Sequence, residues 1–143
     1  MTVRRILAAK GRDVVTISPD KTLADAVRLL NERGLGALVV TDRSGAVTGI
    51  VSERDVVRNI AAYGPSSLDK PVSQCMTCNV VTTVESATIQ TLMSEMTDGR
   101  FRHLPVVDQG RLAGIVSIGD VVKHRLAEME EEQQALREYI ATA

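Results

Sequence analysis

Two tetrapeptides hold a hydroxyl and a carboxylate three residues apart: Ser52-Glu53-Arg54-Asp55 and Ser117-Ile118-Gly119-Asp120. Each follows an apolar run, Gly49-Ile50-Val51 or Gly114-Ile115-Val116. At the start of a helix, Ser-x-x-Asp is a capping box: the hydroxyl accepts from a helical N–H and the acid reaches back to the cap's own N–H. The same groups suit a ligand. Adjacent carboxylate oxygens match the diol of a ribose, and the unpaired amides of a helix N-terminus match a phosphate. Capping and binding are compatible. Because the constellation occurs twice, each time where a strand hands over to a helix, a binding role is favoured.

Arg100, Arg102 and His103 form a local cationic cluster suited to phosphate. Taken alone, His103 reads as an ordinary packed or solvated histidine. Cys75-Met76-Thr77-Cys78 has the spacing of a redox pair or of half a zinc site. Zinc needs two more ligands, and the sequence offers only His103 and His124, at unsuitable spacing. A thioredoxin-type pair sits at a strand-to-helix junction, whereas this one follows a short helical segment and precedes a strand. A structural role is therefore expected, with no metal ligand and no catalytic residue assigned. The sequence contains no Gly-x-Gly-x-x-Gly, no P-loop and no Ser/His/Asp order, which excludes chemistry by those routes.

The elements that must position these residues are duplicated. A shift of 66 residues brings Val14-Val15-Thr16 onto Val80-Val81-Thr82 and Thr22 onto Thr88. Leu23, Ala26, Val27 and Leu30 fall on Ile89, Leu92, Met93 and Met96, each set spaced as one apolar face of a helix. With one residue deleted in a turn, Gly49-Ile50-Val51-Ser52 falls on Gly114-Ile115-Val116-Ser117, and Asp55-Val56-Val57 on Asp120-Val121-Val122. Two copies of one unit thus occupy residues 14–60 and 80–126.

Each copy reads strand (14–17), helix (23–33, capped by Thr22 and closed by Gly34), strand (37–41), turn (42–45), strand (47–52) and helix from Glu53. The second copy turns at Asp108-Gln109-Gly110. Outside the repeat, residues 2–10 predict a lead-in helix ended by Gly11, residues 69–76 a short helix, and 120–143 one long helix. One unit cannot cover its own sheet, so the copies should pack sheet against sheet around a pseudo-two-fold axis. The expected class is α+β, with a first repeat and its lead-in helix over 1–66, a second repeat over 67–126, and a helical extension over 127–143.

The pattern Leu38-Val39-Val40-Thr41-Asp42…Gly49-Ile50-Val51-Ser52-x-x-Asp55, followed by Arg102-His103-Leu104-Pro105-Val106-Val107-Asp108…Gly114-Ile115-Val116-Ser117-x-x-Asp120, resembles a pair of cystathionine-β-synthase (CBS) domains, a Bateman module. Cys75-Met76-Thr77 is similar to that family's lead-in. The resemblance covers about residues 2–126. It implies a non-catalytic regulatory module that binds adenosyl ligands between its repeats, AMP first, with ADP, ATP, NAD and S-adenosylmethionine as other members of the class.

By resemblance, Asp55 and Asp120 hold ribose hydroxyls with Ser52 and Ser117 assisting, and Ile50 and Ile115 line adenine slots. Each pocket joins one repeat's Ser-x-x-Asp to a wall from the other. Ser52 and Asp55, flanked by Arg54, would work with Val80, Val81, Phe101, Arg102, His103 and Pro105. Ser117 and Asp120 would work with Val14, Val15, Gly36 and Ala37. The first copy departs from the pattern, having Leu35-Gly36-Ala37-Leu38-Val39 where the second has Arg102-His103-Leu104-Pro105. The Asp120 pocket is thereby expected to lack side-chain cations, and the Asp55 pocket to prefer phosphorylated ligands.

Seventeen Lys+Arg against 18 Asp+Glu give a formal net charge of -1, so no global basic field attracts nucleic acid. Aromatic residues at 2% are too few for a base-stacking platform. No run approaches the roughly 18 apolar residues of a membrane span, and the first residues lack a secretory apolar stretch. Nucleic-acid and membrane partners are therefore not expected, and the cytoplasm is the expected compartment.

A homodimer is expected through helical faces built from Val56, Val57, Ile60, Val121 and Val122, with an unidentified regulated protein as a further partner. Val122, Leu126, Met129, Gln133, Leu136 and Ile140 step by four and three as a short heptad seam, which either packs on its own domain or meets another subunit. The alternative function is a constitutive dimerisation scaffold with degenerate pockets.

Overall fold

Hydroxyls cap the helices of this chain that start after Thr22, Ser52 and Thr88. The computed structural model describes residues 1–142. Helix α1 (Val3–Lys10) ends at Gly11, and β1 (Thr16–Ile17) follows. Helix α2 (Leu23–Arg33) opens with a capping box in which Asp25 N–H donates to Thr22 Oγ1 and Thr22 N–H to Asp25 Oδ2, both at 3.1 Å. Strands β2 (Ala37–Thr41) and β3 (Val47–Ser52) form a hairpin whose turn is held by Asp42 Oδ1, acceptor of the Ser44 and Ala46 amides. Helix α3 (Glu53–Tyr63), a 3-10 turn (Pro65–Asp69) and the four-residue α4 (Val72–Cys75) lead to the second copy.

There α5 (Ile89–Gly99), β4 (His103–Asp108), β5 (Arg111–Ser117) and the long α6 (Ile118–Thr142) repeat the order. Ala143, assigned to the extension, lies outside the described residues. The β4–β5 turn puts both Gln109 (φ 50°) and Gly110 (φ 77°) at positive φ, the twist that matches a tight hairpin.

β1 runs parallel to β2, with Ile17 opposite Val40, and β2 is antiparallel to β3. The first strand of each copy is shorter than its expected span. In the second copy it shrinks to a single parallel bridge, Thr83 opposite Val106. The reason is local: Val80 N–H turns onto Cys78 O at 2.9 Å, which draws Val80 and Val81 away from the sheet.

Two apolar cores form, and each is completed by the other copy's lead-in helix. Val3, Ile6 and Leu7 of α1 pack with Ile89, Leu92, Met96, Leu104, Val106, Val116 and Val121. Val72 and Cys75 of α4 pack with Ile17, Leu23, Leu30, Leu38, Val40 and Val51. Backbone bonds mirror the exchange: Val3 N–H donates to Ala87 O (2.9 Å) and Val72 N–H to Lys21 O (2.7 Å). Each fully buried aliphatic side chain contributes about 1.5–3 kcal/mol, so losing the exchanged helix would cost a copy an amount comparable to a domain's net stability. The expected boundary at residue 66 divides only the sequence, whereas this exchange knits both copies into one body around a pseudo-two-fold axis.

Val122, Leu126, Met129, Leu136 and Ile140 of α6 are 42–65% exposed, so the heptad seam does not pack on its own domain. Two residues expected on the apolar outer face lie elsewhere. Val121 is buried in the second core, and Val56 packs against the first. Among the described residues, no helix is long and apolar enough to cross a membrane.

Candidate functional site

β3 delivers Ser52 to the N-cap of α3, and the cap orients Asp55. Asp55 N–H donates to Ser52 Oγ (3.3 Å), while Ser52 N–H (2.8 Å) and Ser52 Oγ (3.1 Å) donate to Asp55 Oδ2. Thr77, just past α4, donates its hydroxyl to Asp55 Oδ1 at 3.2 Å, and Arg58, one helical turn on, stands 3.8 Å from the same oxygen. Thr77 is itself fixed by backbone pairing with Ile50, its N–H donating to Ile50 O at 2.8 Å.

Asp55 is only 6% exposed. A carboxylate offers about four lone-pair positions, and the Ser52 and Thr77 hydroxyls can rotate towards a ligand, so acceptor capacity remains. The helix N-terminus is less open than the sequence implied, because the Ser52, Glu53 and Asp55 amides are all engaged. That of Glu53 donates to Gly36 O at 3.0 Å. Binding of an anion here falls largely to side chains.

Beside Asp55, a cavity of about 380 Å³ opens between the copies, within the usual range for small-molecule sites of roughly 300–1,000 Å³. Gly36, Ile50, Ser52, Arg54 and Asp55 line it from the first copy; Val80, Val81, Phe101, Arg102, His103 and Ser117 line it from the second. Gly36 and Ser117, expected with Asp120, face this cavity because His103 crosses to the first copy. Its Cε1 lies 3.6 Å from where a Cβ on Gly36 would stand.

The other residues singled out in the sequence do not line the cavity. Pro105 is buried in β4, its carbonyl accepting from Thr83 N–H. Ala37 is buried in β2, Val14 and Val15 are half-buried ahead of β1, and Ile115 is half-buried in β5. Asp120 lies beyond Ser117 and Ile118, where the cavity stops.

Arg58, Thr77 and Asn79 line the cavity without having been singled out. Arg58 was legible, since i+3 from Asp55 shares its helix face. The approach of Thr77 depends on where α4 docks. Arg100 also lines the cavity, in the left-handed conformation (φ 57°) at the end of α5, the place that Gly34 takes at the end of α2.

Four arginines, Arg54, Arg58, Arg100 and Arg102, thus line the cavity together with the two carboxylates of Glu53 and Asp55. Burial, with Lys10 and Arg102 nearby, pushes His103 below the usual histidine range against the opposing pull of Asp120 and Glu53. Its imidazole is neutral at pH 7, with one N–H donor and one acceptor.

At the second constellation, Ser117 N–H donates to Asp120 Oδ2 (2.9 Å) and Asp120 N–H to Ser117 Oγ (3.1 Å). The expectation that this pocket lacks a side-chain cation is corrected. Lys10 Nζ, from α1, donates to Asp120 Oδ2 at 2.6 Å and to Ile115 O at 3.0 Å. The docking of α1 on the second core brings it there. Burial raises the Asp120 carboxyl, but the Lys10 ammonium and the Ser117 donors outweigh it and hold it below the ordinary value.

Cys75 is buried and Cys78 exposed, and both are free thiols. Burial pushes the Cys75 thiol up, which disfavours the thiolate that redox chemistry requires. Among the described residues, no group of three or more His, Cys, Asp or Glu is arranged to hold a metal.

The family model of the CBS domain matches residues 3–62 and 72–127. The chain is 35% identical, over 97% of its length, to the mitochondrial CBS domain-containing protein CBSX3 of Arabidopsis thaliana, of which it covers 71%. Its fold is similar to the crystal structure of a CBS-domain containing protein of Agrobacterium tumefaciens, with TM-score 0.84 and 52% identity over 87% of this chain and 92% of that one. It is also similar to CBSX2, solved in complex with AMP, with TM-score 0.70 and 28% identity over 81% of this chain and 90% of that one. With one match on each copy of the repeat and most of its length covered, the chain belongs to the CBS-domain family, as a tandem pair of such domains.

Proposed function

We propose that this CBS pair is a non-catalytic regulatory module, acting in the cytoplasm, that binds an adenine nucleotide beside Asp55. AMP is the first choice, and occupancy is reported through a homodimer or a partner protein. The observation that carries this reading is one cavity lined by both the Asp55 carboxylate and four arginines. A ribose diol donates to Asp55 Oδ1, while Ser52 and Thr77 turn their hydroxyls to it. Ile50, Val80, Val81 and Phe101 offer an apolar slot for the purine, and guanidinium forks meet the phosphate in the bidentate geometry they favour. The AMP complex of the similar CBSX2 supports the assignment.

The hydroxyls at Asp55 belong to a cap and a bridge, an arrangement that cradles a ligand rather than activating a nucleophile. The exposed α6 seam and Val57 on α3 supply apolar surface for a second copy. Ligand binding then shifts whichever dimer geometry holds the nucleotide better.

Calorimetric titration with AMP, ATP, NAD and S-adenosylmethionine tests the reading. Saturable AMP binding at about micromolar Kd is expected, weakened about tenfold or more in Asp55→Asn with the fold intact by circular dichroism. Silence from all four ligands on folded protein would overturn it and leave the dimerisation scaffold.

A further inference from the structure

The pseudo-two-fold relation sets the segment running from α4 to Thr77 against α1, and the two halves satisfy equivalent groups by different means. Helix α4 stops at Cys75, so Thr77 runs extended. Its N–H reaches Ile50 O at 2.8 Å and its hydroxyl reaches Asp55 Oδ1 at 3.2 Å. Helix α1 is eight residues long and stays helical through Lys10. Ile115 O and Asp120 are met instead by one group, the Lys10 ammonium, at 3.0 and 2.6 Å. The Thr77 donors are neutral and held by the backbone pairing with Ile50, and the Arg58 cation near Asp55 stays 3.8 Å off on an exposed side chain. The Lys10 donor is charged and rides on a flexible four-carbon stem. Asp120 is therefore neutralised by its own chain, with the ammonium on Oδ2 beside the Oδ1 to which a diol would donate.

We propose that Lys10 is an internal occupant of the Asp120 site, limiting the chain to one nucleoside and making entry of a second conditional on displacing the ammonium. The proposal rests on the nucleotide-binding reading of the Asp55 cavity. An entering diol replaces an ion pair with hydrogen bonds in which only the carboxylate is charged, and adenosine gives the displaced ammonium no anion in return. In Lys10→Met the stem and the helix propensity are kept while the charge is lost.

Native mass spectrometry and calorimetric titration of the full chain with adenosine provide the test. Wild type is expected to bind one adenosine and Lys10→Met two, the second about tenfold or more tighter than wild type holds it. Adding Asp120→Asn to Lys10→Met should return the count to one.

A ligand-free readout accompanies this. His103 faces Lys10 on α1, Asp120 on α6, Glu53 on α3 and its neighbour Arg102, and Lys10 is among the groups that depress it. The His103 Cε1–H titration followed by NMR should therefore move to higher pH in Lys10→Met.

Two adenosines bound equally by wild type, a single one bound by Lys10→Met, or an unmoved His103 titration would overturn the proposal alone. If neither protein binds adenosine at all, the reading of the Asp55 cavity falls and this inference falls with it.

Discussion

Replacing Arg100 with glycine separates what the fold needs from what the cavity needs. Arg100 occupies the left-handed region (φ 57°, ψ 33°) at the end of α5, where the end of α2 has Gly34 (φ 63°, ψ 41°). An L side chain there costs about 1–2 kcal/mol. The greater freedom of glycine in the unfolded chain offsets about 0.5–1 kcal/mol of any gain. Arg100→Gly should thus stabilise the fold by about 0.5–1 kcal/mol, or about 1–4 °C in midpoint for a chain of this length. The same change removes one guanidinium from the cavity. A charge-assisted hydrogen bond contributes about 1.5–3 kcal/mol, and since Arg100 is exposed the lower end applies. AMP should then bind about tenfold more weakly, while adenosine, which has no phosphate, changes by less than about twofold. Scanning calorimetry reads the midpoint and titration calorimetry reads both affinities. A variant less stable than wild type would refute the strain argument, and an unchanged ratio of AMP to adenosine affinity would refute the phosphate contact.

Acidification should weaken the fold in a window assigned to His103. Its folded-state pKa lies below the ordinary 6.5, so below that pH the unfolded chain binds a proton the folded chain refuses, and stability falls until the folded pKa is passed. Thermal melts between pH 7 and 5.5 should show this slope, and His103→Gln should flatten it; an unchanged slope would assign the coupling to another group. A separate loss is expected below about pH 4, where Asp25, Asp42 and Asp120, all held below their ordinary value, take up protons. Deleting the chain from Gln133 onward removes the exposed Leu136 and Ile140 from α6. Sedimentation should show a dimer weakened about tenfold or more, while AMP affinity stays within about twofold. Joint loss of both would mean that the tail belongs to the ligand site.

Local features of this protein were readable in the residues alone. Thr22 with Asp25 and Ser52 with Asp55 cap their helices over three residues, so the pairing is decided by spacing and hydrogen-bond chemistry before any tertiary contact forms. The duplication exposed the equivalence of Asp55 and Asp120, and the β2–β3 and β4–β5 hairpins followed from their turn residues. The apolar positions of α1 and α4 declared that each helix must bury a face, but such a pattern carries no record of what covers it. That α1 completes the second core and α4 the first was decided by tertiary packing. The functional difference between the halves follows from that exchange. Lys10 and Asp120 are 110 positions apart, and no spacing rule links them. Thr77 reaches Asp55 because α4 ends early and its chain runs extended against Ile50. Which carboxylate meets a hydroxyl from the lead-in segment and which meets an ammonium was therefore settled by the docking of two short helices, since a flexible ammonium finds its partner only once the backbone beneath it is in place.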